Sequence, residues 1–507
     1  VVRRTAITML VFAGLIALLV MCFRAIPTGF IPDEDQGYVM IAVQLPDGAT
    51  LERTEEILDR INTMAFETPG VAHTITIGGY SLLDQVVTTN AGAVFVTLDP
   101  WEERPTADLQ VGGVLKALQR QLAGIQAGIC FALNPPPIQG LGTAGGFEYQ
   151  LQDRGGAGLM QLEAVANDLV YEANADPVLT RMNSSFRANV PQVFLDVDRT
   201  KAKTLGVSLD SLFGTLQAFL GSAYVNDFNI FGRTYKVMIQ ADQQFRSRVE
   251  DIDHLEVRDG DGNMVPLSTL LTVTDSAGPT TIQRYNLYPS STITGMAAPG
   301  FSSGQSIARM EALSRTLLPP SIGYEWSGVT FQQIAAGSQT PIIFTLAIIF
   351  VYLFLAAQYE SWSIPVAVLL SVPLAILGAV GLTWLRRFDN NIYTQIGIVL
   401  LIGLAAKSAI MIVEFAKQLR DEGKSIQEAA TEASRLRFRP ILMTAFSFIL
   451  GVIPLLVATG AGASSRRALG TAVFGGMVAS TVLGVMLIPM LYVVVQRISE
   501  GRGGKPV

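Results

Sequence analysis

The sequence predicts an α-helical membrane protein with six spanning helices, one followed by five. It also predicts a large α+β portion outside the membrane, built of βαβ units. Three observations carry this. Mean hydropathy is +0.39 over 507 residues of which only 15% are charged, the balance of a membrane protein with a large soluble part. Apolar runs lie at 5–25, 341–357, 364–385, 393–417, 441–458 and 470–495, each at or near the ~20 residues that cross a hydrocarbon core. Between the first two runs, strand-like and helix-like stretches alternate.

The chain opens VVRR, without an initiator methionine, and reads as a fragment. No small-residue cleavage site follows promptly, and FRAIPTGFIPDEDQG leaves the apolar run, so 5–25 is a retained span rather than a signal peptide. Lys and Arg in the short loops set the orientation. With the N-terminus inside, the inner segments hold Arg3, Arg4, Lys417, Arg420, Lys424, Arg435, Arg437, Arg439, Arg497, Arg502 and Lys505. The outer short loops hold Arg386, Arg387, Arg466 and Arg467. The large block therefore faces outward.

In that block YVMIAVQL (38–45) leads to a helix from Thr50 to about Phe66 and then to VAHTITI (71–77). AVFVTL (93–98), a helix at 107–122 and GICFALN (128–134) repeat the pattern. After a Pro-Gly-rich joint come FEYQLQD (147–153), a helix at 158–174 and a strand near 178–184. Their counterpart is split off to STITGMAAPG (291–300), a helix at 303–317 and GYEWSG (323–328). The domain reading is a first span at 1–26, one subdomain at 27–139, and a second from 140–190 with 291–330. An insertion fills 191–290, a five-helix bundle 331–500 and an inner tail 501–507.

The net charge of −6 argues against a nucleic-acid partner. Cys22, Cys130, His73 and His254 give neither a disulfide framework nor metal-ligand spacing. GLGTAG (140–145) matches the dinucleotide pattern G-x-G-x-x-G in letters. Three prolines precede it and a strand follows, where a dinucleotide site needs a strand before and a helix after. It is a hinge. No phosphate-binding G-x-x-x-x-G-K-[ST] loop occurs and no nucleophile–base set stands out. The chain is read as no enzyme and as using no ATP or other cofactor; any pumping runs on an ion gradient.

Lys407 lies within the apolar run 393–417, ten positions before Lys417, roughly 15 Å along a helix axis. A charge at such depth costs at least ~2.5–3.5 kcal/mol. The other apolar runs contain no Asp or Glu, and Glu414, on the same face, is roughly 10 Å away. Lys407 therefore reads as an ion-relay residue, either losing its proton readily or meeting a carboxylate from another polypeptide. Thr444 and Arg437 open the next apolar run. They read either as proton carriers or, respectively, as a hydroxyl bonded to its own helix and a positive-inside anchor. Tyr80, Phe95, Phe147 and Tyr149 flank the hinge and read either as strand core or as the lining of an apolar cleft suited to bulky amphiphiles.

PTGFIPDEDQG (27–37), AAQYESWSIP (356–365), IGLAAKSAIMIVEFAK (402–417), RLRFRPILMTAFSFILGVIPL (435–455) and TGAGASSRRALGTAVFGGM (459–477) closely resemble the resistance–nodulation–division efflux pumps. More narrowly they resemble the C-terminal half of the hydrophobe/amphiphile branch from Gram-negative inner membranes. The resemblance implies a homotrimeric, proton-driven multidrug exporter whose periplasmic porter portion takes amphiphilic small molecules. These pass through a periplasmic adaptor to an outer-membrane channel. It implies relay roles for Lys407, Thr444 and Arg437, a deep-pocket phenylalanine in Phe95, and an access-pocket strand carrying Phe147, Tyr149 and Leu151. GGYSLLDQVV (78–87) matches a switch loop, with Tyr80, Leu82 and Leu83 where phenylalanines are frequent. The hairpin at 224–239 falls in the docking subdomain. The family's acidic proton-binding residues lie in an N-terminal half, which this reading takes as a missing partner. Two other readings stand beside it: a single-unit relative similar to protein-export membrane components, and a non-transporting ligand-binding scaffold.

Overall fold

The computed structural model describes residues 5–502. The tail expected at 501–507 falls at 503–507 outside that range, as do Arg3, Arg4 and Lys505. The described chain forms two units, residues 5–186 with 282–502 and residues 187–281.

Helix α1 (Thr5–Ala25) is apolar on all sides and buries only Thr8 and Phe12, as a helix facing hydrocarbon does. The chain then builds β1 (Tyr38–Gln44), α2 (Leu51–Phe66), β2 (Val71–Ser81), β3 (Val86–Leu98), α3 (Val111–Leu122) and β4 (Ile129–Leu133). Thr50 caps α2 by accepting from the Arg53 N–H. The sheet order is β2-β3-β1-β4, and β3 pairs antiparallel with both β1 and β2. Each helix thus returns the chain two strands over, and the expected βαβ units are of the split kind. Strand alternation sends Val39, Ile41, Val43, Val94 and Val96 to one face. There they pack with Leu58, Ile61, Val114 and Leu118 of the helices.

The second subdomain repeats that plan with β5 (Phe147–Asp153), α4 (Leu159–Ala175), β6 (Leu179–Ser184) and, after an interruption in sequence, two further strands and a helix. The Asp153 carboxylate ends β5 and opens α4 by accepting the Ala157 and Gly158 N–H groups, each at 2.9 Å. The interruption runs from 187 to 281 rather than 191 to 290. It contains β7 (Val190–Val197), α5 (Arg199–Thr204), α6 (Leu209–Leu216), β8 (Ala223–Ile230), β9 (Arg233–Ile239), β10 (Glu256–Arg258), β11 (Met264–Pro266) and β12 (Leu271–Gly278). Leu212, Leu216, Ile252, Leu255 and Leu267 form its core. The β8–β9 ribbon is exposed along both strands and carries Val225, Phe228 and Tyr235, with Phe231 90% exposed at its turn.

β13 (Gln283–Tyr285) and β14 (Tyr288–Ala297) form a hairpin, with Asn286 and Leu287 both at positive φ. This is the geometry of a two-residue turn, which glycine usually signals and does not here. The expected boundary at 290 therefore cut through a hairpin. Helix α7 (Ser303–Leu317) and β15 (Ile322–Ser327) complete a sheet in which β14 lies between β6 and β5, and β5 between β14 and β15.

Helix α8 (Gly328–Tyr359) starts where β15 ends, well before the apolar run at 341, and its 32 residues make ~48 Å, more than the ~30 Å core. The remaining helices are α9 (Ile364–Leu369), α10 (Val372–Leu385), α11 (Ile392–Asp421), α12 (Ile426–Leu456), α13 (Ala463–Ala479) and α14 (Val485–Arg502). Among the described residues six stretches are long and apolar enough to cross a membrane. Pro440, expected to start a helix, sits inside α12, which begins at a Ser425–Glu428 capping box.

Small residues let α10 and α13 touch backbone to backbone. A Cβ on Gly378 would lie 2.3 Å from the Gly475 carbonyl oxygen, and one on Gly475 would lie 2.4 Å from the Gly378 oxygen. Close approach of this kind replaces the hydrophobic drive that helices lack in lipid. Gly378→Leu is therefore expected to separate these helices, costing ~1–3 kcal/mol or more, and to lower the monodisperse fraction extracted in detergent.

One buried ion pair supports the first α+β subdomain. Arg104 is 1% exposed and its guanidinium meets both Asp35 oxygens, at 2.8 and 3.2 Å. Burial pushes the Asp35 carboxyl up. Hydrogen bonds from Arg104 and the Gly37 N–H, with the guanidinium charge, outweigh this and hold it below the usual range. A depressed carboxylate stabilises above its unfolded pKa of ~3.9 and loses that contribution as pH falls below it. Arg104→Met is expected to cost ~3 kcal/mol by stranding a buried charge. Thermal unfolding followed by tryptophan fluorescence checks this. Asp35→Asn should remove part of the parent's loss of stability below about pH 4.

Candidate functional site

Asn391 caps α11 by accepting the Thr394 N–H at 3.0 Å. One side of this helix is small: Gly397, Ala405, Ala406, Ala409 and Ala416 are buried. The opposite stripe, Ile396, Leu400, Gly403, Lys407 and Glu414, is exposed throughout, at the spacing of one helical face. Cations further along the chain have partners. Lys417 donates to the Tyr359 carbonyl at 3.2 Å, Arg420 makes two 3.1 Å bonds to Glu500, and Lys424 pairs with Glu432 at 2.6 Å. Among the described residues Lys407 has no hydrogen-bond or ion-pair partner.

The Thr444 hydroxyl donates to the Pro440 and Ile441 carbonyls at 3.2 and 3.0 Å, the local bonding that a helical threonine makes by itself. Arg437 does reach α11. Its guanidinium lies over the Phe415 ring, 3.4 Å from the centroid, and its buried Nε has no acceptor among the described residues. Phe415 is about 12 Å along the helix from Lys407 by the α-helical rise. No hydrogen bond among the described residues joins Lys407, Thr444 and Arg437.

The six aromatic and apolar candidates are divided between two subdomains. Tyr149 and Leu151 are 0% exposed and Phe147 is 5% exposed, all on the helix-covered face of their sheet. Tyr149 donates to the Ser314 hydroxyl at 2.6 Å, which donates in turn to the Met310 carbonyl at 2.7 Å. Trp326 stands edge-on to both Phe147 and Tyr149. As placed, Tyr149 and Leu151 are core residues. Phe95 alternates with Val94 and Val96 and so lies on the helix-free face of the first sheet, half-buried, opposite Met40 and Ile75. Tyr80 and Leu82 are half-buried at the β2–β3 hairpin, which begins β3 at Val86 instead of 93. The Asp84 carboxylate ties this hairpin to the end of β6 through the Ser185 hydroxyl.

A cavity of about 300 Å³ borders Phe147 and none of the other five. Its walls include Phe30, Met296, Phe301 and Ile307, with two carboxylates, Asp33 and Asp389, and no basic side chain. Gly29 makes room for Asp389; a Cβ there would overlap the carboxylate. Desolvation raises both carboxyls, and for Asp33 the charges of Asp389 and Glu34 push the same way, although Asp33 keeps an exposed edge. Sequence reasoning used PDEDQG only as a motif and passed over Asp389. The signal was an acidic run beside a span, and an aspartate two residues after Arg387 in a short loop between spans. Among the described residues no group of three or more His, Cys, Asp and Glu could hold a metal ion.

A family model described as the AcrB/AcrD/AcrF family matches residues 1–496. The chain is 42% identical over 497 residues to the multidrug export protein AcrF of Escherichia coli (strain K12), covering 97% of this chain and 48% of that protein. It is 39% identical over 497 residues to the toluene efflux pump membrane transporter TtgB of Pseudomonas putida, covering 98% and 47%. With the multidrug resistance protein MdtF of Escherichia coli (strain K12) it shares 38% over 500 residues, covering 98% and 48%. The chain spans about half the length of the curated relatives it matches. A match over nearly all its residues, with the motifs that resemble resistance–nodulation–division pumps, shows that this chain belongs to the AcrB/AcrD/AcrF family.

Proposed function

We propose that this chain is the C-terminal half of the membrane subunit of a proton-driven exporter of hydrophobic and amphiphilic drugs, working as a secondary antiporter in a bacterial inner membrane. The observation that carries it is Lys407, a partnerless cation on an open face of a spanning helix among the described residues. An N-terminal half would bring acidic proton-binding residues to that face. When the acid is ionised the pair closes; when it is protonated the pair loosens and the helices shift. Thr444 and Arg437 would carry protons on the same route. Nothing in this cycle calls for ATP or a cofactor.

On the outer side, the cavity at Phe147 pairs aromatic walls with two carboxylates, the chemistry of a lipophilic cation. Tyr80, Leu82, Phe95, Phe147, Tyr149 and Leu151 would serve substrates further in, with Tyr149 and Leu151 reached only if the second subdomain opens. Residues 187–281, with the apolar β8–β9 ribbon, would meet a periplasmic adaptor and an outer-membrane channel within a homotrimer. A single-unit protein-export relative and a non-transporting scaffold are disfavoured by the family match and by Lys407.

Lys407→Met keeps length and removes the charge, so membrane abundance should hold or rise while drug resistance collapses in a pump assembled with the other half. Thr444→Ala should do less, since water can replace one hydroxyl. Resistance measured beside membrane abundance decides; parental pumping by Lys407→Met sinks the relay. This chain by itself is expected to leave dye accumulation unchanged in a pump-deficient strain.

Paired Asp33→Asn and Asp389→Asn substitutions should weaken binding of a cationic dye by roughly ten-fold and spare a neutral one, the worth of a partly exposed charge pair. Raised carboxyls protonate in milder acid than usual. Cation binding should therefore fall, as pH drops, at a point above the ordinary aspartate value of ~3.9. Fluorescence anisotropy of the dye checks both.

A further inference from the structure

Glu34 and Asp35 are chain neighbours that hold different bodies. Glu34 reaches the membrane helix α13. Its carboxylate accepts the Ser464 N–H at 3.1 Å, the Ser465 N–H at 2.7 Å and the Ser465 hydroxyl. These are amides that a helix start leaves without partners. Asp35 faces the first outer subdomain. Besides its two bonds to buried Arg104 it accepts the N–H of Val111, the first residue of α3, at 3.3 Å. Arg104 is fixed again by the Asp99 and Leu109 carbonyls, at 2.7 and 3.4 Å. Helix α3 in turn packs Val114, Leu115 and Leu118 into the first sheet.

The preceding residues anchor the same segment. Asn390 donates to the Pro27 carbonyl at 2.9 Å, Ile392 to that of Phe30 at 2.9 Å, and Gly304 to that of Thr28 at 3.1 Å. Gly304 has no room for a Cβ, which would lie 2.1 Å from the Thr28 hydroxyl. A cavity of about 420 Å³ lies among Trp101, Arg104, Val111, Gly460 and Ser464, with Glu34 and Asp35 in its wall.

We propose that Glu34 and Asp35 form a rigid coupling element through which the first turn of α13 and the first turn of α3 stabilise each other. Their Cα atoms are ~3.8 Å apart across one planar peptide. A displacement of the α13 start is passed to Arg104 and α3 through that peptide and the hydrogen bonds of the two carboxylates. Coupling of this kind is reciprocal: what loosens one helix start loosens the other by the same factor. Its use in moving the outer subdomains rests on the transport reading; the coupling itself does not.

The test is amide hydrogen exchange on the purified full chain in detergent. Glu34→Gln should speed exchange about ten-fold not only at the α13 start but also at residues 115–118 of α3, and Asp35→Asn should speed residues 467–470 of α13. Effects confined to each variant's own helix overturn the proposal. Should either variant fold poorly, Glu34→Cys with Ser465→Cys supplies a second route. Oxidising that pair should slow exchange at 115–118 relative to the reduced protein, and an unchanged rate there also overturns the coupling. Reciprocal exchange in a chain whose assembled parent exports nothing leaves the coupling standing and sinks only the transport reading.

Discussion

In hydrocarbon, two helices gain little from hiding apolar side chains from each other, so what decides their contact is how closely their backbones approach. The bundle is organised by that constraint. Gly378 and Gly475 meet directly, a Cβ on Gly397 would lie 2.9 Å from Ala472, and α11 turns Ala405, Ala406 and Ala409 inward. Once the small face of α11 is used for packing, its geometry leaves Lys407 on the other side. The same 3.6-residue period that buries the alanines thus exposes the lysine. The most costly group in the span stands on the one face that no described helix occupies.

The outer portion depends on the membrane helices through a few polar contacts in a short segment. Residues 27–37 leave α1, thread past the α10–α11 turn and end at β1, and three successive acids there face different ways. Asp33 lines a cavity, Glu34 caps α13, and Asp35 is locked to Arg104. Asp35, locked to the buried Arg104, is the one of the three shielded from solvent screening, and it counts for more than a surface carboxylate would. Helix α8 provides a second link, running unbroken from β15 into the apolar stretch.

The two outer subdomains share one topology, a split βαβ sheet with both helices on one face. This plan gives each sheet a covered side and an open side, and strand alternation assigns every residue to one or the other. Phe95 and Tyr149 differ for that reason alone. Phe95 sits between two core valines and so faces away from the helices, whereas Tyr149 points at Ser314 and fills the core. An aromatic on a strand is equally apolar in both positions, so its composition does not say which side it takes.

Local chemistry determined much of this protein. Apolar length marked the spans, a charge in one of them singled out Lys407, and alternating periods marked the strands and helices of the two subdomains apart from β13, while α5 and β10–β12 of the insertion went unmarked. These are properties of single segments, legible without knowing what they touch. The hairpin at Asn286 and Leu287 escaped because its turn lacks glycine, and the β2–β3 ribbon because its polar residues hid a strand. Only the tertiary structure decided that the βαβ units are split, that Tyr149 and Leu151 are core, that Arg437 lies over Phe415 rather than beside Lys407, and that Asp33 meets Asp389. Each depends on which face of an element another segment covers, often hundreds of residues away, and no local pattern encodes that choice.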